Sequence, residues 1–141
     1  MQPERVLVLV VLAAVVAAAV FIAREWSRRR VHSLTKVGGG ETWHNLGEQP
    51  DGRRALVSFS TPSCAACHTA QAPAVKAVES QLGPESVRVI KIDTARQPDV
   101  ARAFGVLTVP STIVLAPSGQ VVAVNQGFAP SKRLVEQLQR A

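Results

Sequence analysis

Residues 6–23 carry no charged or polar side chain and are almost all Val, Leu and Ala, with Phe21 and Ile22 near the end. Such a run has no polar face to offer water, so it cannot pack as an amphipathic element of a soluble domain. As a helix it spans roughly 27 Å at about 1.5 Å per residue, close to the ~30 Å hydrocarbon core of a bilayer. A secretory signal peptide is the rival, but its apolar region is usually about 7–15 residues long and ends in small residues before a polar chain. Ala17-Ala18-Ala19 supplies small residues, yet Val20, Phe21 and Ile22 follow and prolong the apolar run. A retained membrane anchor is therefore expected, which leaves the rest of the 141 residues room for one compact domain.

The net charge of +6 is unevenly spread. Arg24, Arg28, Arg29, Arg30 and Lys36 stand against Glu25 just after the apolar run, whereas only Arg5 precedes it. Lys and Arg collect on the cytoplasmic flank of a membrane span, so the domain is expected on that side, with the extracytoplasmic side as the alternative. From Val37 onward ten basic residues face eight acidic ones, scattered singly and without interleaved aromatics. Nucleic acid is excluded as a partner on that pattern. Aromatics make up 4% of the chain, with no Tyr, so the core must be mostly aliphatic.

Four segments follow from this: a tail (1–5), the anchor (6–23), a basic juxtamembrane stretch with a Gly-rich linker (24–40), and the domain (41–141). Gly38-Gly39-Gly40 is expected to be a flexible joint. Within the domain a short helix is expected over residues 41–46. The apolar run 55–59, after the turn residues Pro50-Asp51-Gly52, suits a buried strand. A helix follows to about Leu82, stopped by Gly83-Pro84 and kinked at Pro73. Residues 87–92 alternate like a strand, and Pro98 opens a short helix closed by Gly105. Residues 112–116 and 120–125 make a hairpin around Pro117-Ser118-Gly119, and a helix over 131–140 ends the chain. The fold class is α/β: a mixed sheet covered by helices on both faces.

Two cysteines, Cys64 and Cys67, are too few for a disulfide framework and too close for a long-range staple. They fall where a strand gives way to a helix, where first-turn amides and the helix dipole favour a thiolate. Such a pair exchanges disulfides: Cys64, nearer the helix start, attacks, and Cys67 one turn on resolves the mixed disulfide. His68 is expected to lie exposed in the first turn and to modulate the thiol pKa.

From residue 55 to 138 the domain resembles the thioredoxin family. The string Leu56-Val57-Ser58-Phe59-Ser60-Thr61-Pro62-Ser63-Cys64-Ala65-Ala66-Cys67 occupies the place of that family's strand and Cys-x-x-Cys turn. Lys91-Ile92-Asp93 resembles the end of its next strand, and residues 105–112 resemble the segment carrying its cis-proline. The resemblance implies a cis peptide bond between Val109 and Pro110, facing the cysteines. It also implies that Thr108, Val109 and Pro110 present backbone to an extended substrate. Three departures stand out: Ser63 replaces the usual Trp, Ala65-Ala66 replaces Gly-Pro, and Ser58 stands where a buried acid would assist the second cysteine.

Other chemistries fit parts of the same string. Cys64-Ala-Ala-Cys67-His68 is also a c-type haem attachment pattern, but a second axial ligand is missing: the only Met is Met1 and the other histidines are His32 and His44. Zinc would want four ligands, and the two cysteines with His68 and His44 lack a second pair at a fitting spacing. A binding module that merely keeps the fold is the last alternative. The expectation is a thiol–disulfide oxidoreductase needing no cofactor beyond its redox-active pair. Its partners would be protein thiols and disulfides together with an upstream dithiol reductant or oxidant.

Overall fold

The computed structural model describes residues 3–35 and 38–141, with the side chains of residues 4–26 and 38–141. The basic flank is therefore seen as backbone at Arg28, Arg29 and Arg30, and Lys36 lies outside the described residues. The chain divides into two compact units, Met1–Ser33 and Leu34–Ala141.

The first unit is helical. Helix α1 covers Pro3–Thr35 and runs well past the apolar stretch. Its Glu4–Trp26 portion is long and apolar enough to cross a membrane, with a mean hydropathy of 3.3 and none of its most apolar window buried.

The second unit is built on a four-stranded sheet. Helix α2 (Gly39–Leu46) precedes β1 (Arg54–Ser60), followed by α3 (Ala72–Leu82), β2 (Val87–Asp93), α4 (Pro98–Ala103), β3 (Ser111–Leu115), β4 (Val121–Gln126) and α5 (Ser131–Gln139). The spatial order is β2-β1-β3-β4. β1 pairs in parallel with β2 and antiparallel with β3, which forms the hairpin with β4. A strand flanked on both sides must be apolar on both faces, and Ala55, Leu56, Val57 and Phe59 are fully buried.

Period-two alternation divides the core. Ala55, Val57 and Phe59 join Ile90, Ile92, Ile113 and Leu115 against Trp43 of α2 and Phe104, which caps α4. The Phe59 and Phe104 rings meet with centroids 6.0 Å apart at 52°. Leu56 and Val114 face the other way, against Val75 and Val78 of α3 and Leu134, Val135 and Leu138 of α5.

Two expectations need correction. Gly39 and Gly40 form the first turn of α2, with Gly38 as its N-cap, instead of a flexible joint. Gly39 lies so close to the β3–β4 turn that a Cβ there would overlap the Ser118 carbonyl, so this glycine serves a close backbone approach. The disturbance expected at Pro73 takes the form of a π-helical turn, Cys67–Gln71, just ahead of α3. Here the Ala72 N–H donates to the Cys67 carbonyl five residues back. Pro73, lying within the first two residues of α3, has no N–H to extend an ordinary α ladder backwards.

Candidate active site

Strand register gathers the site at one end of the sheet. Ser60 ends β1, Ser111 opens β3 beside Phe59, and Gln126 ends β4 opposite Ser111. The segment holding Cys64 leaves from the first point, Pro110 immediately precedes the second, and residues 127–130 leave from the third.

Cys64 and Cys67 are joined in a disulfide, with Cα atoms 5.3 Å apart. The helical turn between them brings the Cys67 backbone N–H to 3.1 Å from Cys64 Sγ, to which it donates. Cys67 is buried at 4% exposure, whereas Cys64 is only half-buried. The turn before them closes through Cys64 N–H donating to the Thr61 carbonyl at 3.2 Å. His68 is exposed, and its Nε2 lies 3.1 Å from the Pro62 carbonyl oxygen, so the imidazole bridges the helix start to the preceding loop.

The Val109–Pro110 peptide bond is cis. Pro110 is buried and Thr108 exposed; Ser111 Oγ donates to the Thr108 carbonyl at 2.6 Å. The backbone N–H and C=O of Val109 make no hydrogen bond among the described residues. Ser58 sits in register between Lys91 and Thr112, with a half-buried side chain. The neighbouring Thr112 hydroxyl accepts from Asn125 Nδ2 at 3.1 Å, and Asn125 exchanges two hydrogen bonds with Gln137 of α5. The row that crosses the sheet at Ser58 runs Lys91, Ser58, Thr112 and Asn125, with no carboxylate in it.

His44 stays exposed on α2. Among the described residues no group of three His, Cys, Asp or Glu side chains is gathered as a metal would need.

Two glutamines not foreseen from sequence organise the loops around the pair. Gln71, 1% exposed, donates from Nε2 to the Ala129 carbonyl at 3.0 Å and accepts the Ala129 N–H on Oε1 at 2.9 Å. Gln126 accepts the Leu107 N–H at 3.3 Å and the Ser111 hydroxyl at 3.1 Å, and donates to the Gly105 carbonyl at 3.0 Å. The signal for Gln71 was available: it is a polar residue in the buried helical stripe of Cys67, Val75 and Val78.

The family model described as Thioredoxin matches residues 40–140. The thioredoxin of Bacillus subtilis is 31% identical over 81 residues, covering 57% of this chain and 75% of that protein. A thioredoxin-like protein of Synechocystis is 34% identical over 84 residues, covering 60% and 77%. Among solved structures, a mutant thioredoxin from Halobacterium salinarum superposes with a TM-score of 0.58 at 25% identity, covering 64% of this chain and 76% of that one. Chloroplastic thioredoxin z shares the fold at a TM-score of 0.58 and 18% identity, covering 74% and 89%. With its sheet order, its disulfide-bonded Cys-x-x-Cys pair and a match spanning nearly the whole second unit, this chain belongs to the thioredoxin family of thiol–disulfide oxidoreductases.

Proposed function

We propose that the chain is a membrane-anchored oxidoreductase in which Cys64 attacks a protein disulfide and Cys67 resolves the product. The unequal exposure of the two sulfurs carries this assignment: Cys67 is 4% exposed, while Cys64 is open to solvent on one side. An attacking thiolate must reach a sulfur in another molecule, whereas a buried one reaches only its neighbour. The Cys67 N–H directed at Cys64 Sγ supports the same roles, because a hydrogen bond donated to sulfur favours its anionic form.

The Cys64 thiolate forms a bond to one substrate sulfur and expels the other as a thiolate. Cys67, as thiolate, then attacks Cys64 Sγ, forms the internal disulfide and releases the second substrate sulfur. Two electrons pass to the substrate, and the two protons of the original dithiol end on its thiols. A partner dithiol restores the pair by the reverse sequence, and no bound cofactor is needed. His68 modulates the Cys64 thiol from the first helical turn, while Thr108, Val109 and Pro110 offer backbone to an extended substrate.

Residues 6–23 hold the protein in the membrane, and the basic flank that follows them favours a cytoplasmic domain. In that reducing compartment the pair works as a reductant.

Cys67→Ser should trap a mixed disulfide between Cys64 and substrate, visible by mass spectrometry, whereas Cys64→Ser should trap none. The opposite pattern would reverse the roles. In intact cells, a membrane-impermeant maleimide should leave the pre-reduced pair unlabelled until lysis. Labelling without lysis would sink the cytoplasmic placement.

A further inference from the structure

Gln71 is a polar side chain sealed inside the second unit, and both ends of its amide are spent on one residue. Nε2 donates to the Ala129 carbonyl, and Oε1 accepts the Ala129 N–H. Ala129 is itself fully buried, clustered with Leu134, Val135 and Leu138 of α5, and directly precedes Pro130, the N-cap of that helix. The amide is therefore bonded to a fixed point of the core. Gln71 is also the last residue of the π-helical turn that begins at Cys67. Turns of this kind are rare and appear mostly at functional sites. In an α ladder the Cys67 carbonyl would accept from Gln71, four residues on; here it accepts from Ala72. Pro73 explains why the ladder is broken here, but not what fixes the broken turn in place. Buried Cys67 is thus committed on both sides, its N–H to Cys64 Sγ and its carbonyl to the turn that Gln71 pins.

We propose that Gln71 is a positioning residue for the resolving step, which holds the Cys67 backbone in place while Cys67 is not bonded to Cys64. This role rests on the disulfide-exchange reading above and adds to it a residue that acts through the turn. In the oxidised protein the disulfide itself ties Cys67 to Cys64. In the dithiol and in the mixed disulfide that bond is absent, and only the backbone holds Cys67. Resolution then needs the Cys67 thiolate in line with the bond between Cys64 Sγ and the substrate sulfur. A bond forms from Cys67 to Cys64, and the bond to the substrate breaks. The substrate sulfur leaves as a thiolate and takes up, through solvent, the proton that Cys67 gave away. Misplacing a reacting atom by about 1 Å can slow such a step by about a hundredfold. The first step makes no such demand on Cys67, since Cys64 alone attacks a disulfide that arrives from solution.

The test separates the two steps in the full chain, held in lipid nanodiscs, pre-reduced and mixed with a peptide dimer joined by one disulfide. Gln71→Met keeps the length and volume of the side chain and removes both hydrogen bonds. By rapid-quench mass spectrometry, the mixed disulfide of Q71M should persist about tenfold longer than that of the native chain, or more. Its formation is read in the Cys67→Ser background, where it cannot resolve, and should differ by less than about twofold between C67S and C67S/Q71M. A merely structural role would slow both steps alike or neither. Gln71→Ala, with its folding followed by denaturant unfolding, should show the same split. Equal persistence in native and variant chains, or equal slowing of both steps, overturns the proposal. So does loss of the fold in both variants, which would show that Gln71 serves the fold alone. Failure of the native chain to form a mixed disulfide with this peptide and with hydroxyethyl disulfide would instead strike the exchange reading itself, and the proposal would fall with it.

Discussion

The two ends of the sheet are held by different means. At the end where β1 begins, contacts are charged and crowded. Arg88 pairs with Glu48 and lies 3.6 Å from Asp51, and Arg53 pairs with Asp51 at 2.6 Å while donating to the Pro84 carbonyl at 2.7 Å. Arg54 Nε donates to the carbonyl of Ala141, and the Trp43 indole lies against Gly119. At the end where β1 finishes, Asp93 accepts the Ala95 N–H at 2.9 Å, and around the cysteine pair neutral amides do the fastening: Gln71 and Gln126 bond to loop backbone and leave Leu107 and Phe128 open. Backbone-directed amides fix a loop without placing a charge beside it. The loops that Gln71 and Gln126 hold can therefore be ordered and yet uncharged.

The comparison is tested most severely at Gly119. Its φ is +86°, and a Cβ there would overlap both the Trp43 ring and the Gly39 carbonyl. Trp43 Nε1 is buried with no hydrogen-bond partner among the described residues, so packing alone holds the indole. Gly119→Ala should cost about 2–4 kcal/mol, combining overpacking with a left-handed backbone at a residue that has a Cβ. Denaturant unfolding would measure it. Below the transition, the exchange rate should be unchanged, because this end touches no substrate. A loss under about 0.5 kcal/mol, the usual range of an ordinary surface change, would show that the crowding carries no stability.

At the exchange end the strongest expected effect is at Gln71. Gln71→Ala removes both partners of the buried Ala129 backbone and should cost about 1–3 kcal/mol, the penalty for a buried polar group left unpaired. The Ala129 amide should lose its hydrogen-exchange protection. Gln126 is exposed, so Gln126→Ala should cost below about 1 kcal/mol, as for a solvent-accessible hydrogen bond. Equal losses at the two positions would show that the buried and exposed clamps do not differ in kind.

Much of this division was legible in the chain. The apolar run through Leu56, Val57 and Phe59, the alternation over residues 87–92, the stop at Gly83-Pro84 and the hairpin around Gly119 pointed to the sheet, because apolar runs, period and turn chemistry are local signals. The cysteine pair was legible for the same reason. The role of Gly39 was not, because the Ser118 carbonyl that excludes a side chain there lies 79 residues away. Nor was the π-helical turn evident, since Pro73 announces a disturbance but not its form. Gln71 stood out as a polar residue in an apolar stripe, yet its partner Ala129 is 58 residues distant and contributes only backbone, which leaves no trace in sequence.

The smallest effect expected concerns pH at the charged end. Hydrogen bonds from the Arg53 side chain, then from its backbone N–H, hold the Asp51 carboxyl below its ordinary value. In return Asp51 raises the Arg53 guanidinium, which stays charged throughout. A carboxyl depressed on folding adds stability that is complete above its unfolded pKa and is lost as pH falls through that value towards the folded one. Asp51→Asn should therefore be less stable than the native chain near neutrality, and the gap should close as the pH falls from about 5 to about 2. Because the pair is solvent-exposed, the gap should be smaller than that of either glutamine and should shrink further in high salt. Paired melting curves across that range would measure it. A gap that widened on acidification would mean that Asp51 is not held as an anion by Arg53, and the contrast between a charged end and an amide end would lose its best-defined pair.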